Sequence, residues 1–231
     1  MEINIFYSLL ITFSYYLIGF LVCLITNKFT SINQEIKRKL LHFVGFLAIL
    51  IYLYCYSNLL YSSIVCLALG ILSFIGLKLV LRLSFFQDIF ITRKKNEVEL
   101  TILKVFIIQA FIILLTYFTN NRIIALLSIV VFCFGDAFAS LFGKKYGKHH
   151  FNNKIVDQNK SIEGLLSNIF ISFIVSLIIL LFSKYDINLI LLFSLIISLV
   201  TGFSELISKK GNDTIISPLC IYLVSYLLFL L

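Results

Sequence analysis

Three ionisable residues lie inside or at the ends of apolar stretches of this sequence: Asp136, Glu205 and His42. An ionisable side chain in a membrane is costly and usually faces a cavity, where it can hold an ion or move a proton. Asp136 lies about two helical turns before its apolar stretch ends at Gly143, roughly 10 Å deep at 1.5 Å per residue. The residues three and four positions from Asp136 are apolar or small, so its own helix supplies no charged partner. His42 and Glu205 are equally consistent with packing at the membrane surface.

The stretch from Gly143 to Gly164 is rich in basic groups, with five lysines, two histidines and two acidic residues. Lysine binds phosphate as a point charge. Lys160 and Ser161 stand just before a predicted helix, whose N-terminal N–H groups and dipole favour an anion. The alternative is a solvated loop whose lysines serve only to orient the chain in the membrane.

A further carboxylate, Asp213, follows Glu205 in a short polar segment that ends near Pro218, the one proline of the chain. Mg²⁺ takes one or two carboxylates together with phosphate oxygens, and phosphoryl transfer depends on positioning and charge neutralisation. The carboxylates, the lysines and the helix N-terminus therefore suit Mg²⁺ and a nucleotide. The sequence has no P-loop, no G-x-G-x-x-G and no kinase H-R-D motif, so a nucleotide site here has another architecture.

These residues must be positioned by membrane helices. The chain is 61% hydrophobic and 13% charged, whereas soluble domains are about half apolar and about a quarter charged. A helix needs about 20 apolar residues to cross the bilayer. Eight apolar segments are predicted, at about 3–25, 40–56, 59–80, 101–119, 122–143, 164–183, 186–204 and 215–231. We expect an all-α polytopic bundle of about eight transmembrane segments, or seven if the last is re-entrant.

The distribution of Lys and Arg predicts the topology. Fifteen of them fall in the first, third, fifth and seventh loops, and only Arg122 and Lys184 fall in the even loops. The positive-inside rule then puts the odd loops in the cytoplasm and both termini outside. The net charge of +8 follows from this topology and needs no nucleic acid partner. We expect one integral-membrane domain, 1–231, with loops 26–41, 135–164 and 205–219 on the cytoplasmic face of a bacterial cell membrane or an ER membrane.

Three short motifs resemble those of the dolichol kinase and phytol kinase family of CTP-dependent lipid kinases. The family pattern is close to G-D-x-x-A-[SA]-x-x-G-[KR]-x-[FY]-G-[KR], followed by K-[ST]-x-E-G. The matching residues here are Gly135, Asp136, Ala139, Ser140, Gly143, Lys144, Tyr146, Gly147, Lys148, Lys160, Ser161, Glu163 and Gly164. An R-K-x-x-H motif matches Arg38, Lys39 and His42, and a late E…G-x-D-N…P motif matches Glu205, Gly211, Asp213 and Pro218. Thr214 stands where that last motif usually has asparagine.

The resemblance implies transfer of a phosphoryl group from CTP to the hydroxyl of a membrane lipid such as a polyprenol, dolichol, phytol or diacylglycerol. Asp136 would hold Mg²⁺ with Asp213, Glu205 or Glu163. Basic and small residues would bind the nucleotide phosphates: Arg38, Lys39, Gly143, Lys144, Gly147, Lys148, Lys160 and Ser161. The general base is open among His42, Glu205 and Asp136.

Two other functions remain as alternatives. Phosphatidate cytidylyltransferases are related and also use CTP, but their usual P-G-H-G-G-x-x-D-R-x-D signature is absent from this sequence. A non-enzymatic transporter that uses Asp136 for an ion or a proton is the second alternative, although the sequence shows no inverted repeat.

Overall fold

The computed structural model of the chain describes residues 5–29, 33–80, 97–151, 156, 160–208 and 211–230. In this part of the chain the structure consists of helices and their connections, apart from an isolated antiparallel bridge between His150 and Ser161. Several charged residues of the topology argument lie outside the described residues: Arg82, Arg93, Lys94, Lys95, Lys154, Lys209 and Lys210. By their internal contacts, the described residues divide into two compact units, Met1–Thr119 and Asn120–Leu231.

The first unit contains helices α1 to α5, which are Ile5–Phe29, Gln34–Leu47, Ile49–Tyr54, Leu59–Val80 and Glu97–Thr119. Helices α4 and α5 pack antiparallel, since Ser63 Oγ donates to Ala110 O at 2.8 Å and Cys66 lies further along α4 against Phe106. The predicted segment 40–56 corresponds to both α2 and α3. Helix α2 begins earlier than its apolar residues, at Gln34, because the Asn33 side chain accepts the Glu35 N–H.

A break at Ala48 separates α2 from α3. Gln109 of α5 is fully buried and its Nε2 donates to Gly45 O at 2.8 Å and to Phe46 O at 3.1 Å. Backbone carbonyls at a helix end need such partners because burying them without one is costly. Gln109 therefore stabilises the break from a neighbouring helix.

The second unit begins with α6, Arg122–Leu126, which runs through a π-helical turn, Leu127–Val131, into α7, Phe132–Tyr146. It continues with α8, Ile162–Leu180, α9, Ile187–Ile207, and α10, Asp213–Leu228. At the π-helical turn, Ser128 Oγ donates to Pro218 O of α10 at 2.6 Å. The only proline of the chain thus lies inside α10 and against α6–α7.

Among the described residues, six helical segments are long and apolar enough to cross a membrane: Ile5–Thr26, Leu59–Leu79, Glu99–Thr119, Arg122–Tyr146, Ile162–Leu180 and Ile187–Ile207. The predicted second segment is divided by the break at Ala48. The predicted last segment, α10, has 16 residues, or roughly 24 Å at 1.5 Å per residue. The prediction of an all-α, multi-pass membrane protein is confirmed.

Candidate functional site

The second unit is built around a close contact between α7 and α8. A Cβ placed on Gly164 would lie 3.0 Å from Ala139 O and 3.3 Å from Gly143 Cα. One placed on Gly143 would lie 3.5 Å from Gly164 Cα. Small residues allow two membrane helices to approach backbone to backbone. Gly143 and Gly164 therefore bring the start of α8 against the end of α7.

Ser161 fixes the start of α8. It adopts an extended conformation, and its Oγ accepts the Gly164 N–H at 3.1 Å, as an N-cap does. Gly147, which ends α7, lies so close that a Cβ there would be 2.7 Å from Ser161 Oγ. The two predicted phosphate-binding residues Ser161 and Gly147 are thus adjacent, and the Ser161 hydroxyl is engaged in capping.

Glu205 lies near the C-terminal end of α9 and is 9% exposed. Its Oε2 accepts a hydrogen bond from Asn168 Nδ2 of α8 at 3.0 Å, and its Oε1 is 3.3 Å from Lys160 Nζ. A buried carboxylate is tolerated when it has a cation and a hydrogen-bond donor as partners. The structure therefore brings together two of the predicted site residues, Glu205 and Lys160, and adds Asn168.

The Lys160 ammonium also reaches the backbone at the end of α9, where it donates to Glu205 O and to Ser208 O, the latter at 3.4 Å. The last carbonyls of a helix have no partner within the helix and carry the negative end of its dipole. Lys160 therefore caps α9 in addition to pairing with Glu205. It was predicted to bind phosphate, and that role stays a prediction.

Asp136 and Asp213 are near enough to Glu205 to act on it electrostatically, as Lys160 does with the opposite sign. Both aspartates are partly exposed. Asp213 is the first residue of α10, and its Oδ1 accepts the Thr214 N–H at 2.9 Å and lies 3.4 Å from Thr214 Oγ1. Helices α7, α9 and α10 thus each contribute one carboxylate to a common region, which we call the acidic centre: Asp136, Glu205 and Asp213.

In the described part of the chain, no group of three or more His, Cys, Asp or Glu side chains is arranged to hold a metal ion. Such a cage is not what Mg²⁺ requires, because Mg²⁺ usually takes one or two carboxylates and completes its shell with water and substrate phosphates. Glu205, with Asp136 and Asp213 near enough to act on it electrostatically, would suit that mode of binding if one or two of these carboxylates held the ion. Oxygen donors of this kind are also the ligands that Mg²⁺ prefers.

Glu163, predicted as a metal ligand, has a different partner. Its Oε1 lies 2.7 Å from His149 Nδ1, and the His149 N–H approaches both carboxylate oxygens at 3.3 and 3.4 Å. The Ile162 N–H donates in turn to His149 O at 2.9 Å. Glu163 therefore ties the first turn of α8 to the segment after α7.

The basic residues fall into separate groups. Lys144 and Lys148, at the end of α7 and just beyond it, are exposed. Arg38, Lys39 and His42 lie on α2 in the first unit. There Arg38 pairs with Glu35 at 2.5 Å, Lys39 is buried, and the His42 ring lies 4.6 Å from the ring of Phe46.

Three fully buried polar residues were not predicted from the sequence: Asn168, Ser172 and Gln109. Ser172 Oγ donates to Asn168 Oδ1 at 3.0 Å. A signal was present, because Asn168 and Gln109 are amides within long apolar stretches. Polar side chains in such positions face other helices rather than lipid.

The fold and these contacts define an integral membrane protein with an acidic centre, in which the buried Glu205 is paired with Lys160. A family model described as the cytidylyltransferase family matches residues 2–208, well over half of the chain. The chain belongs to this family, and so to a group of CTP-using transferases. No curated protein and no solved structure matches it. The matched range includes Asp136, Lys160 and Glu205 and ends before Asp213.

Proposed function

We propose that this protein is a CTP-dependent lipid kinase that transfers the γ-phosphoryl group of CTP to the hydroxyl of a membrane lipid alcohol. The observation that carries the proposal is the acidic centre, in which Glu205 pairs with Lys160 and has Asp136 and Asp213 near enough to act on it electrostatically. Membership of a CTP-using family supports the donor. The apolar helices support an acceptor that is dissolved in the bilayer.

In the proposed reaction, the acceptor hydroxyl oxygen forms a bond to the γ-phosphorus, and the bond from that phosphorus to the β–γ bridging oxygen breaks. CDP leaves with the electron pair, and the hydroxyl proton passes to a carboxylate or to the transferred phosphate. Mg²⁺, when bound, would neutralise the phosphate charge, and Asp136 with Asp213 or Glu205 would hold it. Lys144 and Lys148 would contact the phosphates, and His42 remains a candidate base with Glu205 and Asp136.

The second candidate is a cytidylyltransferase, which is favoured by the description of the matched family. In that reaction a phosphate oxygen of a lipid attacks the α-phosphorus of CTP and diphosphate leaves. The two reactions have different products from the same nucleotide. We propose the kinase because the sequence has the three kinase-like motifs and lacks the cytidylyltransferase signature.

The decisive experiment incubates purified protein in lipid nanodiscs with Mg²⁺, each of the four nucleoside triphosphates, and a panel of lipid alcohols and phosphatidate. The kinase predicts CDP and a lipid phosphate from an alcohol. Diphosphate and a CDP-lipid from phosphatidate would establish the cytidylyltransferase instead. If neither product forms, a non-enzymatic role such as a transporter that uses Asp136 gains support.

Asp136→Asn tests the acidic centre directly, because it removes one negative charge and keeps the shape of the side chain. We expect turnover to fall by at least about 100-fold, a cost of about 2.7 kcal/mol in the barrier. Asp186→Asn is the matched control, since Asp186 is exposed at the opposite end of α9. Equal activity of both variants would remove Asp136 from the site.

A further inference from the structure

Asn168 is a buried amide that no motif of the family resemblance includes. It lies two turns into α8 and is 0% exposed. Its Nδ2 donates to Glu205 Oε2 at 3.0 Å, while Lys160 Nζ is 3.3 Å from the other oxygen, Oε1. The two oxygens of Glu205 are thus held by groups eight residues apart in the chain.

Ser172 completes the arrangement on the other side of the amide. A carboxylate can only accept hydrogen bonds, so the NH₂ side of Asn168 must face Glu205 and the carbonyl side must face away. Ser172 Oγ donates to that carbonyl, Asn168 Oδ1, at 3.0 Å. The two hydrogen bonds therefore point the same way: Ser172 donates to Asn168, and Asn168 donates to Glu205. Both polar ends of the buried amide have a partner.

Gly135, the residue before Asp136, leaves space for the side chains of Asn168 and Ser172. A Cβ placed on Gly135 would lie 2.5 Å from Ser172 Oγ and 2.7 Å from Asn168 Oδ1. Contacts that short require the serine or the amide to move. Gly135, next to Asp136 in the sequence, thus packs directly against Asn168, which contacts Glu205, and against Ser172, which contacts the amide.

We infer that Asn168 is a positioning residue that fixes the orientation of the Glu205 carboxylate, with Ser172 fixing the amide. The inference rests on the proposed function, in which Glu205 belongs to the catalytic centre. Orientation matters because a carboxylate must be held close to its productive geometry to bind an ion or accept a proton, and its hydrogen-bonded neighbours supply that constraint.

The kinetic test uses full-length protein with Asn168→Leu, which keeps the volume and removes the donor, and Ser172→Ala. Both CDP and diphosphate are measured, so a wild-type protein that makes diphosphate overturns the kinase proposal and leaves this inference testable. We expect kcat to fall roughly 10- to 100-fold in Asn168→Leu and less in Ser172→Ala, with KM for CTP changed less than threefold. Ser176→Ala is the matched control, a buried serine one turn further along α8, and should keep the wild-type kcat.

A double-mutant cycle of Asn168→Leu and Glu205→Leu, read by the midpoint of thermal unfolding, tests the contact without any activity, because each single change removes one partner of the hydrogen bond. If Asn168 acts through Glu205, the two shifts are non-additive, and the double variant melts close to Glu205→Leu alone. Additive shifts would overturn the inference. So would a wild-type kcat in Asn168→Leu, or an equal loss of kcat in Ser176→Ala.

Discussion

Lys160 illustrates how one side chain can serve a helix and a reactive group together. Its ammonium caps the last carbonyls of α9 and pairs with Glu205, which stands in the final turn of the same helix. A cation at this position stabilises the helix end and the carboxylate at once. Binding of a phosphate by Lys160 would therefore compete with contacts that hold α9 in place.

We predict that Lys160→Met lowers the free energy of unfolding by about 3 kcal/mol, because it leaves Glu205 buried without its cation. Turnover should fall as well. The measurement is thermal unfolding followed by circular dichroism, with Lys184→Met as the control, since Lys184 is exposed. An unchanged midpoint for Lys160→Met would show that the pair contributes nothing to stability.

At the residue scale, the charged residues of the site were predicted from the sequence, whereas its uncharged polar residues were not. Asp136, Glu205 and Lys160 could be singled out from the sequence because charges in or beside apolar segments are expensive. Asn168 could not be assigned a partner, because the sequence shows a polar side of α8 but not which residue of another helix lies opposite it. The pairing of Glu163 with His149 also depends on how the chain returns after α7.

Helix α7 meets α8 along a row of small residues, and this row sets the distance between the elements that carry the site. Gly135 lies opposite Asn168 and Ser172, while Gly143 lies opposite Gly164. Because the contacts run in opposite directions along the two helices, the pair is antiparallel. A methyl group at Gly164 would press against backbone atoms of α7, whereas one at Gly135 would press against the side chains of Ser172 and Asn168.

We predict that Gly135→Ala and Gly164→Ala each cost about 1–3 kcal/mol of stability through overpacking. Gly76→Ala is the control, because among the described residues no atom other than its chain neighbours and the nearby backbone of its own helix lies within 4 Å of a Cβ built there. That variant should be neutral or stabilising by up to about 1 kcal/mol, as alanine favours a helix. Urea unfolding of the three variants in the same detergent compares their free energies of unfolding with that of the wild type. A Gly76→Ala variant as destabilised as the other two would contradict the prediction.

The break between α2 and α3 gives a prediction for the first unit. Gln109→Leu keeps an apolar volume but removes the donor to Gly45 O and Phe46 O. We expect a loss of about 1–3 kcal/mol, the cost of leaving buried groups without a partner. Gln34→Leu, at the exposed start of α2, should have little effect in the same thermal measurement.

The ends of helices were predicted well where the hydropathy changes sharply along the sequence, and poorly where it does not. The polar residues Gln34–Lys39 are helical because of the Asn33 cap, although they precede the apolar stretch. The π-helical turn at Leu127–Val131 lies inside an apolar run, and the Ser128 contact with Pro218 joins residues 90 positions apart. Neither the turn nor the contact leaves a local pattern in the sequence.

At the scale of the whole molecule, the strongest sequence signal is the unequal distribution of basic residues, which predicts a cytoplasmic site. Lys148 and Lys184 are exposed and belong to loops of opposite predicted side. In a variant without the five native cysteines, Lys184→Cys should react with a membrane-impermeant maleimide on intact cells. Lys148→Cys should react only after the membrane is permeabilised, and the reverse pattern would invert the topology.

Glu205 contacts Lys160, which lies just before α8, and Asn168, which lies two turns inside it. The spacing between these two residues restricts which mutations the site can accept. Substitutions that keep the length of α8 preserve the angle around the helix axis between Lys160 and Asn168. A single inserted or deleted residue between Ser161 and Asn168 would rotate the amide by about 100° around the helix axis. The carboxylate could then meet one partner but not both. This half of α8 should therefore accept changes of residue type far more readily than changes of length.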